Sequence, residues 1–338
     1  MPDLFNKLLI LRTPGIGPVK YAGLIEKFGS VDAAAESLRA DSVLIDTVHR
    51  EMDLAESLNI KYICDDSPDY PKQLLEVKNH PPIITVRGNL ETLWRPAVAM
   101  VGTRHATAAG IKFMSQLAEA FAAHGFSVAS GMAMGTDTAA HAGALQSDSS
   151  AATIAILAGG ADNIWPLENE RLYHYILERG IVISQMPVGT VPSASYFIQR
   201  NRIIAAISEK LILGEADLNS GSMATAGFAL EYGRPVFAIP SHPSDERSRG
   251  PNRLIKERKA TLCEGINDFF DDGEKIIKNE KQKTKCENEV LDKIGIIPVS
   301  ESVLTQLVKK SVSEIKQELV ALELGGQIRK TDSGYVKN

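Results

Sequence analysis

Cysteine is scarce in this chain: Cys64, Cys263 and Cys286 are three in 338 residues, far apart and odd in number. That pattern argues against a disulfide framework or a zinc knuckle and fits a reducing cytoplasm. No run of 18 apolar residues occurs, so no membrane span is expected. The opening MPDLFNKLLILRTPG lacks the basic n-region and small-residue cleavage site of a signal peptide. Positive charge is not in excess either. Lys and Arg total 37 against 42 Asp and Glu, a formal net charge of −5. Global attraction to a polyanion is therefore excluded, and any nucleic-acid binding must rest on local charge. Two stretches supply it. Residues 247–259 carry Arg247, Arg249, Arg253, Lys256, Arg258 and Lys259 against Glu257 alone, and Arg200 and Arg202 lie in an acid-free stretch. The plain reading of such runs is a solvated face.

What is present reads as an ordinary globular composition, 44% hydrophobic and 23% charged, long enough for two or three domains. Residues 1–70 look helical. Within them Thr13-Pro-Gly-Ile-Gly-Pro-Val-Lys20 makes a glycine hairpin before an apolar helical pattern. The segment resembles a helix-hairpin-helix module whose loop amides, with Lys20, suit a phosphate; a plain packing turn fits equally. Residues 71–270 alternate hydrophobic runs with helical patterns. Strands are expected at 97–101, 127–129, 153–157, 181–184, 211–213 and 235–239. Helices are expected at 108–124, 136–145, 168–178, 202–206 and 223–232. Near-continuous apolar strands separated by helices predict a doubly wound parallel sheet. Residues 271–290, with eleven charged residues in twenty, read as a linker. Residues 291–338 read as two helices and a hairpin turning at Asp332-Ser333-Gly334, the layout of a small winged-helix domain.

In such a sheet, ligands bind beyond the carboxyl ends of the strands, where strand order reverses. The loops there are rich in glycine. Val101-Gly102-Thr103-Arg104 offers close approach, a hydroxyl and a guanidinium. Ser130-Gly131-Met-Ala-Met-Gly135-Thr-Asp137 opens a helix that carries His141. Ala158-Gly159-Gly160-Ala-Asp162 follows the third strand. A loop then leads to Phe197-Ile-Gln-Arg200-Asn201-Arg202. Ser220-Gly221-Ser222 begins another helix, and a helix N-terminus is a seat for phosphate. None is a Walker loop or a GxGxxG fingerprint, so neither ATP hydrolysis nor NAD chemistry follows. Asp137 and His141, four apart, read as a helix cap and a packed imidazole more readily than as a catalytic pair. No metal spacing appears among the histidines, no cofactor is implied, and no catalytic constellation stands out. Phe197 could stack on a base, with core packing the plainer alternative.

At these motifs, together with Trp165-Pro166, Gly233-Arg-Pro-Val-Phe-Ala-Ile-Pro240 and Gly250-Pro-Asn252, the sequence resembles the DprA/Smf family of DNA-processing proteins. The resemblance implies an extended Rossmann-like doubly wound parallel sheet, a helix-hairpin-helix/SAM-like N-terminal domain and a C-terminal winged helix. It implies a cytoplasmic, dimeric, non-enzymatic protein. Such a protein binds and protects single-stranded DNA without sequence specificity and helps load the RecA recombinase in natural transformation. Carried over by motif, the DNA-binding set is Gly102, Thr103, Arg104, Ser130, Gly131, Gly135, Gly159, Arg200, Asn201, Arg202, Ser220, Gly221 and Ser222, with Lys20, Phe197, Asn252 and Lys256 as outlying candidates. Leu167 stands after Trp165-Pro166 where a basic residue is expected. Two other readings remain open: a nucleotide-processing enzyme of the Lonely-guy phosphoribohydrolase type, and a protein-interaction scaffold.

Overall fold

The computed structural model describes residues 2–270, 288–295, 298–308, 310–331 and 334–337. Most of the expected linker, 271–287, and the expected turn residues Asp332 and Ser333 lie outside the described residues. The chain forms two compact units, Met1–Ala106 with Met114–Cys263, and Thr107–Phe113 with Glu264–Asn338.

The first unit starts with a helical head: α1 Pro2–Arg12, α2 Pro18–Phe28, α3 Val31–Ser37 and α4 Ser42–Ser57. Its boundaries follow local chemistry. Gly15 at φ 78° reverses the chain between α1 and α2, and Pro18 opens α2 at its first position. The Ser30 hydroxyl accepts from Ala33 N to cap α3, and the Asp41 carboxylate accepts from Leu44 N to cap α4. Leu8, Ile10, Tyr21, Ala34 and Val48 fill the space between the helices.

The head does not extend to residue 70, because β1 (Lys61–Cys64) already belongs to the sheet. The other strands are β2 Ile83–Gly88, β3 Ala97–Val101, β4 Ser127–Ser130, β5 Thr153–Ile156, β6 Gly180–Ser184, β7 Lys210–Leu213, β8 Val236–Ala238 and β9 Thr261–Leu262. Their order is β1-β2-β6-β5-β4-β3-β7-β8-β9. Strands β3 to β9 pair in parallel, whereas β2 pairs antiparallel with both β6 and β1. The sheet is thus mostly parallel with an antiparallel edge, a departure from the all-parallel expectation. Pro81 and Pro82 make the approach to β2 read as an irregular lead-in, yet Ile83–Val86 is buried throughout.

Between the strands lie α5 Lys72–Leu75, α6 Ala108–Ala123, α7 Thr136–Gln146, α8 Glu170–Arg179, α9 Ala194–Ile207, α10 Gly221–Glu231 and α11 Arg249–Lys256. Helix α7 packs on β3, β4 and β5 and against α8, while α9 packs on the same strands and against α10. Right-handed crossovers put these pairs on opposite faces. The expected helix at 202–206 is the end of a longer one. Phe197, Arg200 and Asn201 therefore sit on α9 and not in a loop, which gives each a fixed direction.

In the second unit, α12 (Glu301–Val308) and α13 (Val312–Leu324) precede an antiparallel pair, β10 Ile328–Thr331 and β11 Gly334–Lys337. Ser311 and Glu314 form a capping box at the start of α13. Leu304, Ile315, Leu319, Ile328 and Tyr335 make its core.

Candidate nucleic-acid interface

Strand order reverses at β3: β4, β5 and β6 lie to one side of it, and β7, β8 and β9 to the other. A cleft of about 320 Å³ opens at the strand tips there. Gly102, Thr103, Arg104 and His105 line it from the end of β3. Phe197, Arg200 and Asn201 come from α9, and Ser220, Gly221, Ser222 and Thr225 from the start of α10. The structure thus brings together eight of the thirteen motif residues, plus Phe197. Ser130, Gly131, Gly135, Gly159 and Arg202 are not among the lining residues.

The glycines are needed mainly by the protein itself. A Cβ on Gly135 would sit 2.5 Å from the carbonyl oxygens of Thr103 and Arg104, and φ is 76°. At Gly102 a Cβ would meet the Thr136 side chain, and at Gly159 the Thr190 carbonyl and the Pro192 ring. Gly131 is closed over by the Arg200 guanidinium. The amides of the second loop are occupied as well. Asp137 accepts from Gly131 N at 3.1 Å and from Ala133 N at 3.3 Å, so it ties the loop down, while Thr136 N donates to Thr103 O. The seat expected there is filled by a carboxylate of the chain. Ser130 is fully buried and donates its hydroxyl to Met100 O at 2.6 Å.

Gly221 is different. It is exposed at the first turn of α10, with only Asn201 Nδ2 near a notional Cβ, at 3.6 Å. The Ser220 hydroxyl caps α10 by accepting from Met223 N, and Ser222 donates to Gly102 O at 2.7 Å, fixing the helix start against the β3 loop. Asn201 donates to Gly221 O at 3.2 Å. The first-turn amides of α10 carry the positive end of the helix dipole into the cleft.

Arg200 and Arg104 play separate parts. Arg200 is 5% exposed. Its Nη1 donates to the Gly131 and Ile156 carbonyls, and its Nε to Asn201 Oδ1. Burial lowers its pKa to about 10, opposed by the Asp137 carboxylate, so it stays charged at neutral pH. Burial raises the Asp137 pKa, opposed by Arg200 and the loop amides. Beneath them His141 donates or accepts at Thr153 Oγ1 through Nδ1, 2.7 Å away. Burial and the Arg200 charge lower its pKa to about 3, so it is neutral. Asp137 and His141 are therefore internal supports of the loop.

Arg104, by contrast, is exposed, and its guanidinium carbon is 4.9 Å from the Trp165 ring centroid and 5.8 Å from that of Phe197. The two rings meet edge to face, centroids 4.7 Å apart. Trp165 is the residue that motif reading missed as part of the site. Its signal was a 36% exposed indole on a strand-tip loop, which no spacing reveals.

Arg202, from the main set, and three of the four outlying candidates lie elsewhere. Arg202 donates from Nε to Tyr232 Oη at 3.1 Å, joining α9 to α10. Asn252 bonds both the amide and the carbonyl of Ser241. Lys256 is exposed on the last turn of α11, where Arg253 and Lys259 are paired with Glu257. Lys20 is exposed on α2 in the head. Among the described residues no group of three or more His, Cys, Asp or Glu is placed to hold a metal, and no helix is long and apolar enough to cross a membrane.

A mostly parallel Rossmann-like sheet with an arginine-bearing cleft at its switch point defines an α/β ligand-binding protein. Residues 61–274 match the DNA recombination-mediator protein A family, and residues 2–40 match the DprA-like N-terminal HHH domain. The chain belongs to this DprA/Smf family. It is 33% identical over 295 residues to Protein Smf of Escherichia coli (strain K12), covering 83% of this chain and 78% of that one. It is 38% identical over 203 residues to DNA processing protein DprA of Streptococcus pneumoniae, covering 60% of this chain and 70% of the relative. The X-ray structure of the S. pneumoniae protein superposes with a TM-score of 0.63 at 31% identity, over 78% of this chain and 91% of that one. A Helicobacter pylori DNA processing protein A, described for its single-stranded DNA binding mode, gives 0.56 at 30% identity, over 62% and 94%.

Proposed function

We propose that the chain binds the backbone of single-stranded DNA in the cleft between β3 and β7, without regard to sequence and without cleaving it. The observation that carries this reading is Arg104, exposed and held over Trp165 and Phe197 beside the open N-terminus of α10. A guanidinium and first-turn amides grip phosphate, and phosphate contacts carry no base information. The adjacent rings offer a face to an unstacked base, which a duplex does not present. The family and the H. pylori relative support the same ligand. The working surface in this reading is Arg104, Thr103, Asn201, Ser220, Gly221, Ser222 and Phe197, with Trp165 added. Ser130, Gly131, Gly135, Gly159, Arg200 and Arg202 hold that surface in shape.

The wider assignments follow from family membership and are proposals of the same standing. The second unit, with two helices and a β-hairpin, is read as a winged-helix domain after a linker. The protein acts as a cytoplasmic homodimer that protects the strand and passes it to RecA during transformation. The test of the core reading is a titration of labelled oligo-dT and of a matched duplex at two salt concentrations. Tight, salt-sensitive binding of the single strand supports it; no binding in dilute buffer refutes it.

A further inference from the structure

A buried ion pair in the helical head reaches the segment from which α9 starts. Arg12, the last residue of α1, donates from Nε and Nη2 to the two carboxylate oxygens of Glu51 on α4, at 2.6 and 2.7 Å. The two side chains are only 13% and 5% exposed. Tyr62 on β1 donates to Glu51 Oε1 at 3.2 Å, and Val188 N, in the loop between β6 and α9, points at the same oxygen from 3.4 Å. One residue on, Gly189 lies beside Leu54 of α4. Shorter bonds tie the loop on its other side. Gly189 N donates to Asp162 Oδ1 at 2.9 Å, and Gly160 N donates to Thr190 O at 2.9 Å. Asp162 and Gly160 belong to the loop after β5 that carries Trp165. Five residues past Gly189, α9 begins and presents Phe197. Phe197 thus follows a loop that meets Glu51, and the Trp165 loop is bonded to that same loop.

A buried ion pair is a poor source of stability, since desolvation cancels most of its attraction; where one persists, fixing geometry is its best-attested use. The neighbours of Glu51 fit that use, because its oxygens serve α1, β1 and the α9 approach at once. We infer that Glu51 is a positioning residue for the cleft: through Val188 it sets where the loop places Phe197 and Trp165, so the head tunes the affinity of a site it does not line. The inference rests on the strand-binding reading for its affinity consequence and on geometry alone for its structural one.

The test uses the full chain carrying Trp94→Phe, which leaves Trp165 as its single tryptophan of two. Arg12→Met/Glu51→Leu removes the pair without leaving a buried charge alone, so the fold is retained. It should weaken oligo-dT binding roughly 2- to 30-fold and shift the Trp165 emission. Arg12→Met/Glu51→Gln keeps an oxygen for Tyr62 and Val188 and should hold affinity and emission within about twofold of the parent. Lys7→Met removes the head's buried ammonium, which bridges the exposed carboxylates of Asp66 and Asp3, and should lower the melting temperature while leaving both readouts unchanged. Parental affinity and emission in the Leu variant would overturn the inference, as would an equal loss in Lys7→Met. If the parent itself ignores oligo-dT, the strand-binding reading falls, and the Trp165 emission still decides the positioning role.

Discussion

The guanidinium of Arg104 rests on the indole of Trp165, 4.9 Å from carbon to ring centroid, with the Phe197 ring beside it at 5.8 Å. A cation over an aromatic face is held without an ion pair, so its donors stay available to an arriving phosphate. Arg200, on α9, has its donors committed to carbonyls and Asn201. The two arginines of the cleft divide into one that meets the ligand and one that holds the walls.

Arg104→Ala should therefore weaken oligo-dT binding by about 1.5–3 kcal/mol, roughly 10- to 150-fold, while the melting temperature barely moves. The salt slope should fall by about 0.7, because one phosphate is no longer neutralised. Fluorescence anisotropy at two or more salt concentrations measures both.

Trp165→Ala and Phe197→Ala should each reduce single-strand affinity by about 1–3 kcal/mol and leave the weaker duplex affinity nearly unaltered. In the Trp94→Phe background the strand should quench Trp165. Equal losses for both forms of DNA would show that the rings only seat Arg104.

Arg200→Met should cost about 1–3 kcal/mol of stability or more, because the buried Gly131 and Ile156 carbonyls lose their donor and Asp137 loses a neighbouring positive charge. Adding Asp137→Asn should restore part of that loss. Urea denaturation of the single and double variants checks it.

Gly135→Ala and Gly221→Ala should separate wall from surface. At Gly135 a methyl group meets two carbonyl oxygens in a left-handed backbone, so about 1–3 kcal/mol or more of stability should be lost. At Gly221 space is open, so stability should hold and only phosphate binding should suffer. Thermal melts beside oligo-dT titrations distinguish them.

Acid should destabilise the loop scaffold through His141. Its folded pKa, about 3, lies below the ordinary value of 6.5, so the unfolded chain binds the extra proton between them and stability falls as pH falls through that window. At pH 5 the loss should be about 2 kcal/mol relative to pH 7. Asp137, with a raised pKa, runs the other way: its folded form favours the proton, so its contribution weakens as pH rises above 3.8. Replacing His141 by Gln isolates the first effect as a smaller change in urea midpoint between pH 7 and pH 5.

Much of the sheet was legible in advance. β3 to β7 are buried on both faces, so they appear as apolar runs, and the glycine loops mark their tips. β2 was hidden behind Pro81 and Pro82. The start of α9 was hidden by Ser193-Ala-Ser-Tyr196, which reads as loop. Once α9 begins at Ala194, the inward aim of Arg200 follows, since it shares a stripe with the buried Ile203, Ile204 and Ile207. Without that start, Arg200 and Arg202 looked like equal partners for a phosphate. The Thr103, Arg104 and Ser220–Ser222 clusters were found because each sits within a few residues of a strand or helix end.

The letters alone determined the α/β alternation and the glycine turns, because hydrophobic period and tight turns are local properties of the chain, and their motifs carried the resemblance to the family. Tertiary packing decided which glycine loops were filled from within, which arginine stayed exposed, and that Glu51 on the head touches the approach to α9. Those outcomes depend on residues far apart in sequence competing for the same buried volume and the same hydrogen-bond donors, and no local pattern records who wins.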